Sequence, residues 1–224
     1  MIEHVYRRAA SSRTIESVIV ATDDDRIAMA VDGFGGHARL TRPTHATGTD
    51  RLAEVASDLT CDLVVNVQGD EPLFEPEMID EAVAPFSTDP SIVMTTLRRR
   101  FDHPEEARDP NIVKVVVDLN GFALYFSRAP IPFLRDAAEP QTRGPGPGPF
   151  KHIGLYVYRR DFLLKLASLS PTPLERAESL EQLRALEHGF PIKTVETRHD
   201  SIGVDTPEDL DRVRRLLAAE ARVS

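Results

Sequence analysis

The chain has 224 residues, 41% of them hydrophobic and 28% charged, which is enough for one large domain with a real core. No apolar run approaches the roughly 18 residues a membrane span needs, and 27 basic against 36 acidic side chains leave a formal charge of −9, which excludes binding to nucleic acid or membrane lipid through bulk charge. A single cysteine, Cys61, cannot close a disulfide within the chain, and charged residues follow Met1 where a signal peptide would be apolar, so a cytoplasmic address is expected.

In chain order, Ile2 to Ala10 sets Ile2, Val5, Tyr6 and Ala9 on one face at helical spacing and predicts an amphipathic helix ended near Ser11-Ser12. Ser17 to Ala21 is a short β-branched strand, and the Thr22-Asp25 run suits the start of a helix that lasts to Ala30 or Val31 and is stopped by Gly33, Gly35 and Gly36. The alternation repeats with His37 to Leu40 as a strand, Gly48 to Ser57 as a helix and Asp62 to Val67 as a buried strand. Pro76 opens a helix with Met78, Ile79, Ala82 and Val83 inward, and Ser91 to Leu97 is a further strand. This order predicts an α/β fold, a mostly parallel sheet flanked by helices, in a single domain over residues 1–224.

After Pro104 the pattern changes. Val113 to Asp118 and Phe122 to Ser127 flank Leu119-Asn120-Gly121 and predict an antiparallel hairpin, the start of an excursion over roughly residues 111–158. Residues 141–149 hold three glycines and three prolines and predict a mobile surface loop. His152 to Tyr158 is a strand, Arg160 to Ala167 and Pro173 to His188 are helices, Pro191 to Val195 is a short strand, and Pro207 to Ala221 is a closing amphipathic helix.

Open α/β sheets bind ligands beyond the carboxyl ends of their strands. Beyond Val67 stand Gln68-Gly69-Asp70-Glu71-Pro72, whose carboxylates suit a hard divalent ion held against phosphates; a solvated acidic turn explains the same spacing equally well. In Gly203-Val204-Asp205-Thr206-Pro207-Glu208-Asp209, helix capping accounts for Thr206, Pro207 and Asp209 and leaves Asp205 over, either as dipole complement or as a group reaching a cleft. The Arg42–Arg51 segment offers hydroxyls, backbone N–H groups and two guanidinium groups able to meet a base edge or a phosphate, or simply a capped helix start. No His/Cys cluster has zinc spacing, and GxGxxG after a strand, GxSxG and the P-loop are all missing, which argues against hydride transfer, serine hydrolysis and P-loop chemistry.

Val65–Pro72, Asn111–Val116, Leu124–Pro132, Lys151–Tyr156 and Gly203–Leu210, taken together and in this order, resemble one family, the 3-deoxy-manno-octulosonate (Kdo) cytidylyltransferases. The resemblance implies a nucleotide-diphospho-sugar transferase-like fold, and the conversion of CTP and Kdo to CMP-Kdo and diphosphate for lipopolysaccharide synthesis. It implies Mg²⁺ as cofactor with Asp70 and Asp205 as catalytic metal ligands. Thr47, Gly48, Thr49 and Arg51 match the cytosine and ribose site; Gln68, Arg128, His152, Tyr156, Glu181 and Gln182 match the sugar site, with Arg128 or His152 meeting the sugar's carboxylate. It also implies a homodimer formed through the hairpin and the Leu124–Pro132 segment. Family members carry a strand and a triphosphate-binding loop ahead of the helix with which this sequence opens, so a gap is expected inside the sheet. The other readings are a cytidylyltransferase for amino-Kdo or sialic acid, and a dimerising relative without turnover.

Overall fold

The computed structural model describes residues 1–220 apart from 46, 134, 136–148 and 205, and the backbone alone at Pro104, Ala219 and Glu220. The elements are α1 (Ile2–Ala10), β1 (Val20–Thr22), α2 (Asp25–Gly33), β2 (Ala38–Leu40), α3 (Gly48–Ser57), β3 (Leu63–Asn66), α4 (Pro76–Val83), α5 (Pro85–Thr88), β4 (Met94–Arg100), a 3₁₀ turn (Pro104–Arg108), β5 (Lys114–Val117), β6 (Ala123–Ser127), β7 (Phe150–Arg159), α6 (Arg160–Ser168), α7 (Pro173–Glu178), α8 (Gln182–Glu187), β8 (Lys193–Glu196) and α9 (Pro207–Glu220).

Local chemistry explains most of these boundaries. Asp24 caps α2 by accepting from the Arg26 N–H, and Thr47 caps α3 by accepting from the Asp50 N–H at 3.2 Å. The hairpin forms as expected: β5 and β6 pair antiparallel, Gly121 takes φ +79°, and the Asp118 carboxylate accepts from the N–H groups of Asn120 and Phe122. The Gly/Pro-rich loop expected at 141–149 falls outside the described residues except for Pro149.

The sheet is mixed rather than mostly parallel. β7 is its spine, antiparallel to β4 along one edge and to β5 and β3 at the two ends of the other, while the parallel ladders are β4 with β8 and β1 with β2. β7 reverses direction because the chain reaches it from the β5–β6 hairpin and not through a βαβ crossover. β1 and β2 form a two-stranded sheet of their own, and among the described residues no ladder joins β1 to β3.

Helices cover both faces of the six-stranded sheet. On one face α3, α6 and α8 pack with Met94, Val115, Phe126 and Tyr158; on the other α1 and α4 pack with Leu97, Ile153, Leu155 and Val157. Phe74, Met78 and Ile79 are fully buried in the second cluster, each contributing roughly 1.5–3 kcal/mol relative to exposure.

One expected helix is two. The run 173–188 breaks between α7 and α8, where Ser179 takes the left-handed conformation at φ +53° and Leu180 is buried. A bidentate ion pair between buried Arg184 of α8 and Glu175 of α7 holds the broken pair together. The break interrupts helical periodicity and presents Glu181 and Gln182 at the turn between the helices.

Candidate active site

β7 and β3 build the floor of the site. Along β7, His152, Tyr156 and Tyr158 face the α3/α8 side; Tyr156 pairs with Asn66 of β3 and Tyr158 with Val64. The β4–β7 register shifts after Thr96, and the buried Thr96 hydroxyl fills the irregularity, lying 3.1 Å from the Ile153 carbonyl and 2.9 Å from that of Leu155. Its single proton goes to these carbonyls. The 3.0 Å contact with His152 Nε2 is then an Nε2–H donating to Thr96 Oγ1, which assigns the tautomer and leaves Nδ1 as an acceptor.

Burial lowers the His152 imidazole to about 3, so it is neutral, packed edge-on to Phe126 with ring centres 4.9 Å apart. As placed, it offers a neutral acceptor to a ligand and not a cation. This has a consequence for stability. The unfolded chain takes up a proton near pH 6.5 and the folded chain only near 3, so stability is full above 6.5 and declines as pH falls through that window. Against His152→Asn, the wild-type protein is expected to lose up to about 1.4 kcal/mol per pH unit below 6.5. Urea unfolding at pH 7 and pH 5 measures this, and identical pH profiles for the two proteins would refute it.

Tyr156 and Tyr158 are held as neutral phenols: burial raises both, reinforced at Tyr156 by Tyr158 and by the charges of Glu181 and Glu71, and at Tyr158 by Glu181. Glu181 accepts from buried Thr49 Oγ1 at 2.5 Å, joining the start of α3 to the α7–α8 turn. Beside it, Gln182 is 5% exposed and its buried Nε2 has no hydrogen-bond partner among the described residues.

The acidic loop after β3 lies at the carboxyl end of that strand, with Gln68 at its head accepting from the Glu71 N–H through its main-chain carbonyl. Asp70 is half-buried, and its carbonyl accepts from the Val204 N–H at 2.9 Å. This bond brings the residue before Asp205 in sequence to the Asp70 loop; Asp205 itself lies outside the described residues. Glu71 has its carboxyl group over β7, 3.7 Å from where a Cβ on Gly154 would sit, and accepts from Ser201 Oγ at 2.5 Å. Burial raises the Glu71 carboxyl, opposed by that hydrogen bond.

The remaining expected residues sit apart from this cluster. Thr47, Gly48 and Arg51 occupy the first turn of α3 or its cap, where Arg51 pairs with Asp23 at 3.1 Å and donates to Thr41 Oγ1, each just past the carboxyl end of β1 or β2. Arg42 and His45 are both drawn onto Glu54, whose carboxyl falls to about 2 chiefly through His45. Arg128 donates through Nε to the Glu178 carbonyl and through Nη1 to the Pro110 carbonyl, and among the described residues no hydrogen bond ties it to His152. Fully buried Lys114 holds the Arg128 backbone in place, its ammonium donating to the carbonyls of Asp109, Ile112 and Arg128. Its place inside a β-branched strand gave no sign of this.

The Thr49–Glu181 bond thus ties the start of α3 to the polar floor, and the Glu71 carboxyl brings the carboxylate loop over β7. A profile of the cytidylyltransferase family matches residues 1–197. The 3-deoxy-manno-octulosonate cytidylyltransferase of Geobacter sulfurreducens is 57% identical over 221 residues, 97% of this chain and 88% of that protein. That of Syntrophotalea carbinolica is 60% identical over 219 residues, again 97% and 88%. The chain belongs to the 3-deoxy-manno-octulosonate cytidylyltransferase family. Among solved structures, a CMP:2-keto-3-deoxy-manno-octonic acid synthetase complexed with CTP superposes on this cytidylyltransferase with a TM-score of 0.89 at 42% identity, covering 98% of this chain and 88% of that one. The 4-diphosphocytidyl-2C-methyl-D-erythritol synthase of Anaerococcus prevotii, at 13% identity and a TM-score of 0.62, shares the fold alone.

Proposed function

We propose that the chain transfers the cytidylyl group of CTP to Kdo, forming CMP-Kdo and diphosphate. The observation that carries this reading is the 57–60% identity, over 97% of the chain, to relatives named for that reaction. The site's chemistry is compatible with it. In the reaction the sugar's anomeric oxygen forms a bond to the α-phosphorus of CTP, the bond to the β-phosphate oxygen breaks, the hydroxyl proton leaves to solvent, and diphosphate departs. No covalent enzyme intermediate is required, so positioning and charge neutralisation carry the rate.

The sugar acid is assigned to the neutral floor. Gln182 Nε2–H supplies a donor, His152 Nδ1 an acceptor, and Glu181 and the Tyr156 hydroxyl meet sugar hydroxyls; the Arg128 guanidinium is the cation left for the carboxylate. The first turn of α3, from Thr47 to Arg51, is assigned to cytosine and ribose, with exposed backbone N–H groups at a helix start. Hard carboxylate oxygens at Asp70, with Asp205 one residue beyond Val204, fit Mg²⁺, which takes one or two carboxylates and completes its shell with phosphate oxygens and water. When bound there, Mg²⁺ would supply positive charge against the phosphates of CTP.

Homodimer formation is assigned to the β5–β6 hairpin, where Leu119 and Leu124 are 106% and 63% exposed. Cytoplasmic location follows from the reading as an enzyme consuming CTP; among the described residues no helix is long and apolar enough to cross a membrane. Diphosphate release with CTP and Mg²⁺, measured separately with Kdo, amino-Kdo and sialic acid, tests the substrate. Turnover with Kdo is expected to exceed the others at least tenfold; preference for another sugar acid would replace the assignment.

A further inference from the structure

Resting on the substrate assignment above, we propose that Thr49 is a positioning residue that couples the two substrates, fixing the Glu181 carboxylate on the sugar side to the start of α3 on the nucleotide side. Thr49 is 6% exposed, so its hydroxyl is turned inward from the nucleotide-facing surface of the helix, where it donates to Glu181 Oε2 at 2.5 Å. The bond spans 132 positions in sequence and joins two elements that otherwise meet a ligand separately. Because its acceptor is charged it is among the stronger kinds of hydrogen bond.

Both ends are mechanically suited to this. Thr49 lies in the first turn of α3, held from below by the Thr47 cap, so an adjustment of that turn around a nucleotide moves Oγ1 directly. Glu181 lies in the break between α7 and α8, after the left-handed Ser179, and no helical ladder holds it from the N-terminal side. Its Oε1 accepts no hydrogen bond among the described residues, and the neighbouring Gln182 Nε2 is buried and unpartnered. Fixing Oε2 therefore sets where the free carboxylate oxygen and the free amide donor point.

Coupling of this kind is reciprocal: whatever factor CTP contributes to sugar binding, the sugar contributes to CTP binding. The test is calorimetric titration with Kdo, with and without saturating CTP, in EDTA so that no turnover occurs. For the wild-type chain, CTP is expected to tighten Kdo binding roughly tenfold, within the usual range of such couplings. Thr49→Val, which keeps the shape and removes the hydroxyl, is expected to bring the ratio to about one, and Thr49→Ser to restore it. Thr49→Ala provides a second variant should the valine protein not fold, with the ratio likewise expected near one. A tenfold ratio retained in either folded variant overturns the proposal, as does a wild-type ratio of one when both ligands bind. A wild-type chain that is folded yet binds neither ligand overturns the substrate assignment itself, and the coupling with it.

Discussion

Asp70→Asn is expected to lower kcat about a thousandfold or more, since a bound cation contributes several kcal/mol of charge stabilisation in phosphoryl transfer and each 1.36 kcal/mol is about a factor of ten. The amide keeps the side chain's shape and the backbone bond from Val204 to the Asp70 carbonyl, so the melting temperature is expected to stay within about a degree of wild type. Loss of charge at a metal position has a second signature that a misfolded site lacks: Mn²⁺ affinity, followed by electron paramagnetic resonance, should weaken at least about tenfold in the folded variant. Turnover within threefold of wild type would remove Asp70 from the metal site. Asp205→Asn is expected to behave in the same way.

Arg184→Met is expected to have the largest effect on stability. Burial raises the Glu175 carboxyl, but the Arg184 hydrogen bonds and the Thr172 N–H outweigh it and leave it below its usual value. Both partners are nearly inaccessible, with side chains 4% and 7% exposed, so removing the guanidinium leaves an unpaired buried carboxylate. Breaking such a pair costs about 3–5 kcal/mol, which for a domain of this size lowers the melting temperature by roughly 6–20 °C. Replacing both partners with apolar residues, as in Arg184→Met with Glu175→Leu, should recover most of the loss, because the cost lies in the orphaned charge and not in the absence of the pair. A single variant as stable as wild type would contradict the assignment of Arg184 as the staple between α7 and α8. Since that staple holds the turn bearing Glu181 and Gln182, the single variant should also bind the sugar acid more weakly.

What the sequence disclosed depended on how local the cause was. The Gly48–Ser57 helix and the Ile2–Ala10 helix have the expected bounds because caps and periodicity act within a few residues. Asn120-Gly121 places its hairpin because a positive φ at Gly121 is a property of that dipeptide. Strand direction is another matter. Nothing in the His152–Tyr158 pattern distinguishes a parallel strand from the antiparallel spine it is, since alternation and β-branching are common to both and the partners lie far along the chain. The break at Ser179 was equally hidden: Glu-Ser-Leu-Glu holds no glycine, proline or asparagine, and the turn is imposed by burial of Leu180 and by the Arg184–Glu175 pair.

The site follows the same division. Asp70, Thr49, Tyr156, Glu181 and Gln182 could be singled out through motif resemblance, but not which of them touch. That Thr49 serves Glu181, that His152 is a neutral acceptor and that Lys114 is wholly buried beneath Arg128 are all consequences of pairings over long sequence separation. Residue type alone would have made His152 and Arg128 equivalent candidates for a carboxylate. Only the folded surroundings separate a buried imidazole from a guanidinium that reaches the surface.

The measurement that bears most directly on the account is ³¹P nuclear magnetic resonance of CTP incubated with Kdo, Mg²⁺ and the protein. The account predicts that the α-phosphorus signal of CTP is replaced by that of a CMP–sugar phosphodiester, with free diphosphate appearing in equal amount. Unchanged CTP, or CMP and inorganic phosphate without the phosphodiester, from the folded protein would contradict it.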